Sequence, residues 1–143
     1  MGLNYLLDTN VISEPVRKAP NVHVMAQIQA VAGKIAIAAT TWHELLFGLF
    51  KMPASRKRTV IERYLLETVR TEIPIMDYDA DAAAWFAKER ARLSQIGRPP
   101  SYSDGQIAAV AATNDLILVT RNVSDFANFD SLNIENWFDD MEM

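Results

Sequence analysis

Four apolar runs of strand length, residues 4–7, 34–38, 73–76 and 116–119, are separated by stretches whose apolar side chains recur at helical spacing. That alternation limits the chain more than any other feature. Strands joined through helices favour a parallel sheet with helices on both faces, so the expected fold class is α/β, in three α/β/α layers around a mainly parallel central sheet. With 143 residues, half of them hydrophobic, the chain has room for one core, and a single domain spanning 1–143 is expected.

Local signals give provisional boundaries. Residues 4–7 deliver Asp8 at the end of the first strand, where ligands sit in open α/β sheets. Asn21 opens a helix with Val22, Met25, Ile28 and Val31 on its apolar side, stopped by Gly33. Thr40 or Thr41 caps the next helix and puts Glu44 in its first turn. Ser55 caps a helix reaching about residue 70, with Val60, Tyr64, Leu65 and Val69 inward. Asp79 caps another, with Ala83, Phe86 and Ala87 inward, ended by Gly97. Ser103 and Gln106 have capping-box spacing, which places Asp104 in the first turn of the following helix; residues 132–134 suit an edge strand.

Composition removes several chemistries. The absence of cysteine excludes disulfides, a thiolate nucleophile and a Cys-based zinc site, and His23 and His43 are too few for a histidine-rich centre. No apolar run approaches the roughly 20 residues of a membrane span, so a soluble, cytoplasmic protein without membrane contact is expected. The formal charge of −4 opposes nucleic-acid binding at first sight. Asp139, Asp140 and Glu142 crowd the last five residues, however, and a metal would neutralise part of a carboxylate cluster, leaving a surface close to balanced.

Four acidic residues, Asp8, Glu44, Asp104 and Asp125, each stand where a strand or loop meets a helix. If the fold gathers them they repel, and a divalent cation offsets that repulsion. Hard ions take oxygen ligands, which suits an all-carboxylate site. Taken singly, Asp104 and Glu44 also read as helix caps. Asp8 resists that reading, because an acid ending a buried strand loses solvation unless it is paired. An aspartyl phosphatase is disfavoured: Asn10 stands where a second Asp is expected, and no Lys falls in a matching loop.

The segments LLDTNVISE, TTWHELLFG and SDGQIAAVAATNDLILVTRNVSDF, in this order and spacing, resemble PIN-domain proteins of the VapC or FitB type, the toxin half of type II toxin–antitoxin pairs. The resemblance covers nearly the whole chain. It implies a PIN-like fold and a Mg²⁺- or Mn²⁺-dependent endoribonuclease that hydrolyses RNA phosphodiester bonds. It also implies a cognate antitoxin as inhibitor, operator DNA contacted only through that antitoxin, and a homodimer. By position, Asp8, Glu44 and Asp104 fall on the family's three most regular acidic sites. At the fourth, either Asn122 reaches the metal or its water through a neutral oxygen, or Asp125 supplies the charge. Asp8 and Asp104 would hold the principal ion, Glu44 would orient or deprotonate the attacking water, and Thr9 would fix a neighbouring ligand through a hydrogen bond.

For RNA contact, Arg98 and Arg121 near the loops and Arg56, Lys57, Arg58 and Arg63 on one helix are the basic candidates, with Tyr102 placed to stack on an unpaired base. The bland reading of the 56–58 run is a solvated helix start. Leu45, Phe47, Leu49, Phe50 and Met52 exceed one buried stripe, which suggests an apolar groove for the antitoxin. The alternative is a DNA-bound toxin–antitoxin regulatory module with little nuclease activity, which shares every motif.

Overall fold

The computed structural model describes residues 2–138, so the acidic Asp139, Asp140 and Glu142 lie outside the described residues. In chain order the elements are β1 (Tyr5–Leu7), α1 (Thr9–Ile12), a 3-10 turn (Glu14–Val16), α2 (Val22–Ala30), β2 (Ile35–Ala38) and α3 (Ala39–Lys51). Then come α4 (Arg56–Arg63), a π-helical segment (Tyr64–Val69), α5 (Arg70–Glu72), β3 (Ile75–Met76) and α6 (Ala80–Gln95). The last are α7 (Tyr102–Thr113), β4 (Ile117–Val119), α8 (Val123–Phe126) and β5 (Ile134–Glu135).

The sheet order is β3-β2-β1-β4-β5, and every pair is parallel. The period of two along each strand sorts the core into two layers. Leu6, Ala36, Ala38 and Leu118 pack with Phe86, Leu93, Ile107 and Phe126 on one face. Leu7, Ile35, Ile37 and Val119 pack with Val11, Val24, Leu45, Leu49, Leu65 and Val69 on the other. This is the expected three-layer α/β/α arrangement, with an all-parallel sheet. No helix among the described residues is long and apolar enough to cross a membrane.

Several local expectations are corrected. In α2 the inward line is Val24, Ile28 and Val31, and Val22 is 80% exposed, because the Asn21 cap sets the helix phase by accepting a bond from the Val24 N–H. α3 starts directly from β2 at Ala39, without a side-chain cap, so Glu44 lies in its second turn; Thr41 is buried and Thr40 bonds Gln106 instead. Ser101, not Ser103, caps α7 by accepting from the Asp104 N–H, which leaves Asp104 in the first turn as expected. Ser55 and Asp79 cap as expected. On α6 the buried line is Ala82, Phe86, Glu89 and Leu93, and Ala87 is exposed.

The π-helical segment adds a residue to one turn and shifts the face of the helix that follows α4. Leu65 and Val69 are buried as expected, whereas Val60 is half exposed. Tyr64 donates its hydroxyl to the Ile12 carbonyl at 2.6 Å, and burial pushes its pKa up to about 12. Of the apolar excess in α3, Leu45 and Leu49 enter the core while Phe47 and Phe50 stay exposed.

Candidate active site

The site forms where the chain leaves β1 and β4 side by side. In the order 3-2-1-4-5 the chain runs from β1 outward in both directions, and that junction is the crevice where α/β sheets bind ligands. Asp8 caps α1, its N–H bonds the Val119 carbonyl at 2.9 Å, and its side chain is buried. One carboxylate oxygen accepts from the Thr9 N–H and the other from the Thr120 hydroxyl, both at 2.8 Å. Thr9 also donates its hydroxyl to Glu44 Oε1 at 2.6 Å, so the two acids are tied through one threonine.

Asp104 approaches from the start of α7, and Asp125 from α8, whose N-cap is Asn122. Burial, and then the charges of Asp125, Asp8 and Glu44, push the Asp104 carboxyl above its ordinary range against a lowering bond from Ser101. Burial pushes Asp8 up as well, opposed by its bonds to Thr120 and Thr9, with Glu44 and Asp125 adding to the rise. Glu44 and Asp125 therefore both lie within electrostatic reach of Asp8 and of Asp104. Asn122 is exposed, makes no side-chain cap bond, and donates its N–H to Thr120 Oγ1 at 3.0 Å. Among the described residues no three acids or histidines form a ready-made metal cage. Like charges without a cation separate, and Mg²⁺ needs only one or two direct carboxylates because it keeps several waters. The donor set is hard oxygen throughout, and Asn10 Oδ1, on the turn that follows Asp8, is buried without a hydrogen-bond partner. These residues fit a hard divalent cation.

Arg98 lines the crevice that holds Asp104 and Asp125, and Tyr102 lines the one that holds Thr9 and Glu44. Arg121 is exposed with its guanidinium 4.5 Å from the Phe138 ring centroid. Arg56 and Lys57 lie elsewhere, on a groove with Val16, Arg17, Val60 and Ile61.

Two contributions were not anticipated. Thr120, fully buried, donates to Asp8 and accepts from Asn122, and so couples the first acid to the segment carrying the last. Its only sequence signal is a hydroxyl just past a buried strand. Thr120→Val is expected to weaken divalent-ion affinity about tenfold and to cost about 1–2 kcal/mol of stability, read by calorimetric metal titration and thermal melts.

The second is a clamp behind Asp125. Glu89, buried on α6, accepts from Arg92 at 2.9 and 3.1 Å and from the Asp130 N–H at 2.8 Å, while Arg92 donates to the Asn128 carbonyl at 2.8 Å. The Arg92 bond is the main cause that holds the Glu89 carboxyl below 4.5. A depressed folded pKa contributes stability above the unfolded value and loses it as pH falls through the folded one. Glu89→Gln should therefore cost about 1 kcal/mol at pH 7 after allowance for solvent screening at Arg92, and the difference from wild type should close in melts as pH falls through the folded value.

Fold and site together define an α/β/α domain with an acidic centre at the switch point of a parallel sheet. The PIN-domain family model matches residues 5–132, and the chain belongs to the PIN-domain family, in its VapC/FitB branch of toxin–antitoxin toxins and nuclease hydrolases. Ribonuclease VapC2 of Haemophilus influenzae is 33% identical over 94% of this chain and 98% of its own length. The tRNA(fMet)-specific endonuclease VapC of Shigella flexneri is 34% identical over the same shares. The crystal structure of FitAcB from Neisseria gonorrhoeae superposes with a TM-score of 0.85 at 30% identity, over 97% of this chain and 99% of that one.

Proposed function

We propose that the protein, acting as one domain across residues 1–143, is a Mg²⁺-dependent endoribonuclease, with Mn²⁺ as the other candidate ion, and the toxin of a type II pair. The observation that carries this reading is the gathering of four acids about the end of β1: the charges of Glu44 and Asp125 push both the Asp8 and the Asp104 carboxyl upward, in addition to burial. Asp8 and Asp104 would hold the cation, with Asp125 or Asn122 completing the shell. Once bound, such an ion lowers the pKa of a water and stabilises charge on phosphoryl oxygens. Glu44 has Oε1 occupied by Thr9, which fixes the carboxylate and orients Oε2 to take a proton from the attacking water. Thr9 and Thr120 hold the acids in place, and Arg98 offers positive charge to the RNA backbone beside Asp104 and Asp125.

The partner is a cognate antitoxin, and operator DNA is contacted only through it. FitAB and the VapBC2 complex of Rickettsia felis were both solved bound to DNA, with TM-scores of 0.85 and 0.80. The groove of Val16, Val60 and Ile61, rimmed by Arg17, Arg56 and Lys57, is a better apolar floor for an antitoxin segment than the α3 face of Phe47 and Phe50 expected from the sequence. A homodimer and a cytoplasmic setting complete the reading.

The test is incubation of a mixed RNA pool with the purified protein, in Mg²⁺, Mn²⁺ or EDTA. Cutting in either metal and none in EDTA supports the nuclease. An intact pool with folded, metal-binding protein favours the DNA-bound regulatory module.

A further inference from the structure

We propose that the cleft between α3 and α7, beside Glu44, is a pocket for one unpaired nucleobase flanking the phosphate that is cut; the proposal rests on the ribonuclease reading of the same site. Thr9 and Glu44 of the acidic centre line this cleft together with three rings, His43, Phe47 and Tyr102. A single exposed aromatic on a protein surface is ordinary, but three around one opening next to a candidate phosphodiester site are not. Phe47 is 56% and Tyr102 60% exposed, so each keeps open ring surface.

The rings are also ordered in advance. His43 and Phe47, one turn apart on α3, lie parallel with centroids 6.3 Å apart and planes 7° from coplanar. Lys51 Nζ sits 4.6 Å from the Phe47 centroid. On the opposite wall, Arg90 Cζ is 4.5 Å from the Tyr102 centroid and Arg90 donates to the Tyr102 hydroxyl at 2.8 Å, while the Phe86 ring meets Tyr102 edge-on. Each wall therefore pairs an aromatic surface with a cation. That combination recognises single-stranded nucleic acid: the ring takes a base and the cation takes a neighbouring phosphate. In a chain of net charge −4, cations placed against both walls of the cleft favour an anionic ligand, and the aromatic surfaces beside them favour one that carries planar bases. Gln106, whose Oε1 accepts from Thr40 at 2.9 Å, lines the cleft and offers its amide to a base edge.

An abasic scan tests the proposal. A labelled single-stranded RNA containing a mapped cleavage site, or a uridine-rich 12-mer if none is found, is titrated by anisotropy against Asp104→Asn protein, which blocks cutting. Removal of one base beside the cut should weaken binding about tenfold. In a Phe47→Ala or Tyr102→Ala background the same removal should cost almost nothing, because the ring that held the base is gone. Tyr102→Phe keeps the ring and should retain most of the discrimination, which also separates lost stacking from lost folding. Equal abasic penalties in wild-type and ring-deleted backgrounds overturn the pocket. So does a Phe47→Ala protein that changes oligomeric mass by light scattering yet binds RNA normally, since that face then joins two copies of the chain. Base-dependent binding without any cutting by the wild-type protein in Mg²⁺ or Mn²⁺ keeps the pocket and removes the nuclease reading; wild-type cutting without base dependence does the reverse.

Discussion

Asp8→Asn should abolish metal-dependent RNA cleavage, lowering it by roughly a hundredfold to a thousandfold, while making the metal-free protein more stable. The two effects share a cause. Asp8 is buried, and its carboxyl is pushed above the ordinary range by that burial and by Glu44 and Asp125, so its charge costs free energy in the folded state at neutral pH. Asparagine removes the charge and preserves the shape: its oxygen can accept from the Thr9 N–H, and its amide can donate to Thr120 Oγ1. A gain on the order of 1 kcal/mol at pH 7 is expected for the variant. Because the folded pKa of Asp8 is raised, the wild-type penalty is present at neutral pH and fades as pH falls through the folded value, so the two melting curves should converge in acid. Added Mg²⁺ should stabilise the wild type and leave the variant nearly unmoved. A variant that melts earlier than wild type without metal, or that still cuts RNA, contradicts this account.

Gly105→Ala should lower stability by at least about 2 kcal/mol, a fall in melting temperature of about 5–10 °C. Gly105 is buried on α7 next to Asp104, and a Cβ there would overlap Cε1 and Cζ of Phe86 on α6. Phe86 is itself 2% exposed, packed among Leu93, Ile107 and Ala108, so its ring has nowhere to retreat. The higher helix propensity of alanine, about 1 kcal/mol, does not offset that overlap. The double variant Gly105→Ala with Phe86→Leu should recover part of the loss, because the shorter side chain vacates the overlapping volume. RNA cleavage should fall in the single variant too, since α7 must shift and Asp104 shifts with it. Unchanged melts for Gly105→Ala would refute the close approach of the two helices.

The parallel sheet and its helices were legible because apolar runs a few residues long alternate with amphipathic stretches, and few architectures accept that order. Boundaries were less legible where two signals compete. Ser101 and Ser103 are both capping residues, and the geometry of the loop after Pro100 selects the first. Thr40 and Thr41 resemble caps, yet β2 runs into α3 without a loop, so the Thr40 hydroxyl bonds Gln106 while the Thr41 hydroxyl is buried without a hydrogen-bond partner. The π-helical turn departs from 3.6 residues per turn, so a single helical stripe drawn from Val60 through Val69 does not describe the buried face. At the site, the four acids stood out because each follows a strand or opens a helix. Thr120 and the Glu89–Arg92 clamp did not, since their roles depend on partners 112 and 41 residues away in sequence, at Asp8 and Asp130.

The central place of β1 also has a bearing on synthesis. β1 is made well ahead of one of its two neighbours, β4, and Thr120, 112 residues after Asp8, closes on it only when both strands are present. Asp104 and Asp125 likewise arrive late in the chain. A nascent polypeptide that already carries Asp8 and Glu44 still has an unpaired strand edge and half a set of carboxylates, so ribosomes translating this protein are not exposed to an assembled acidic centre until the segment with Asp104, β4 and Asp125 has emerged.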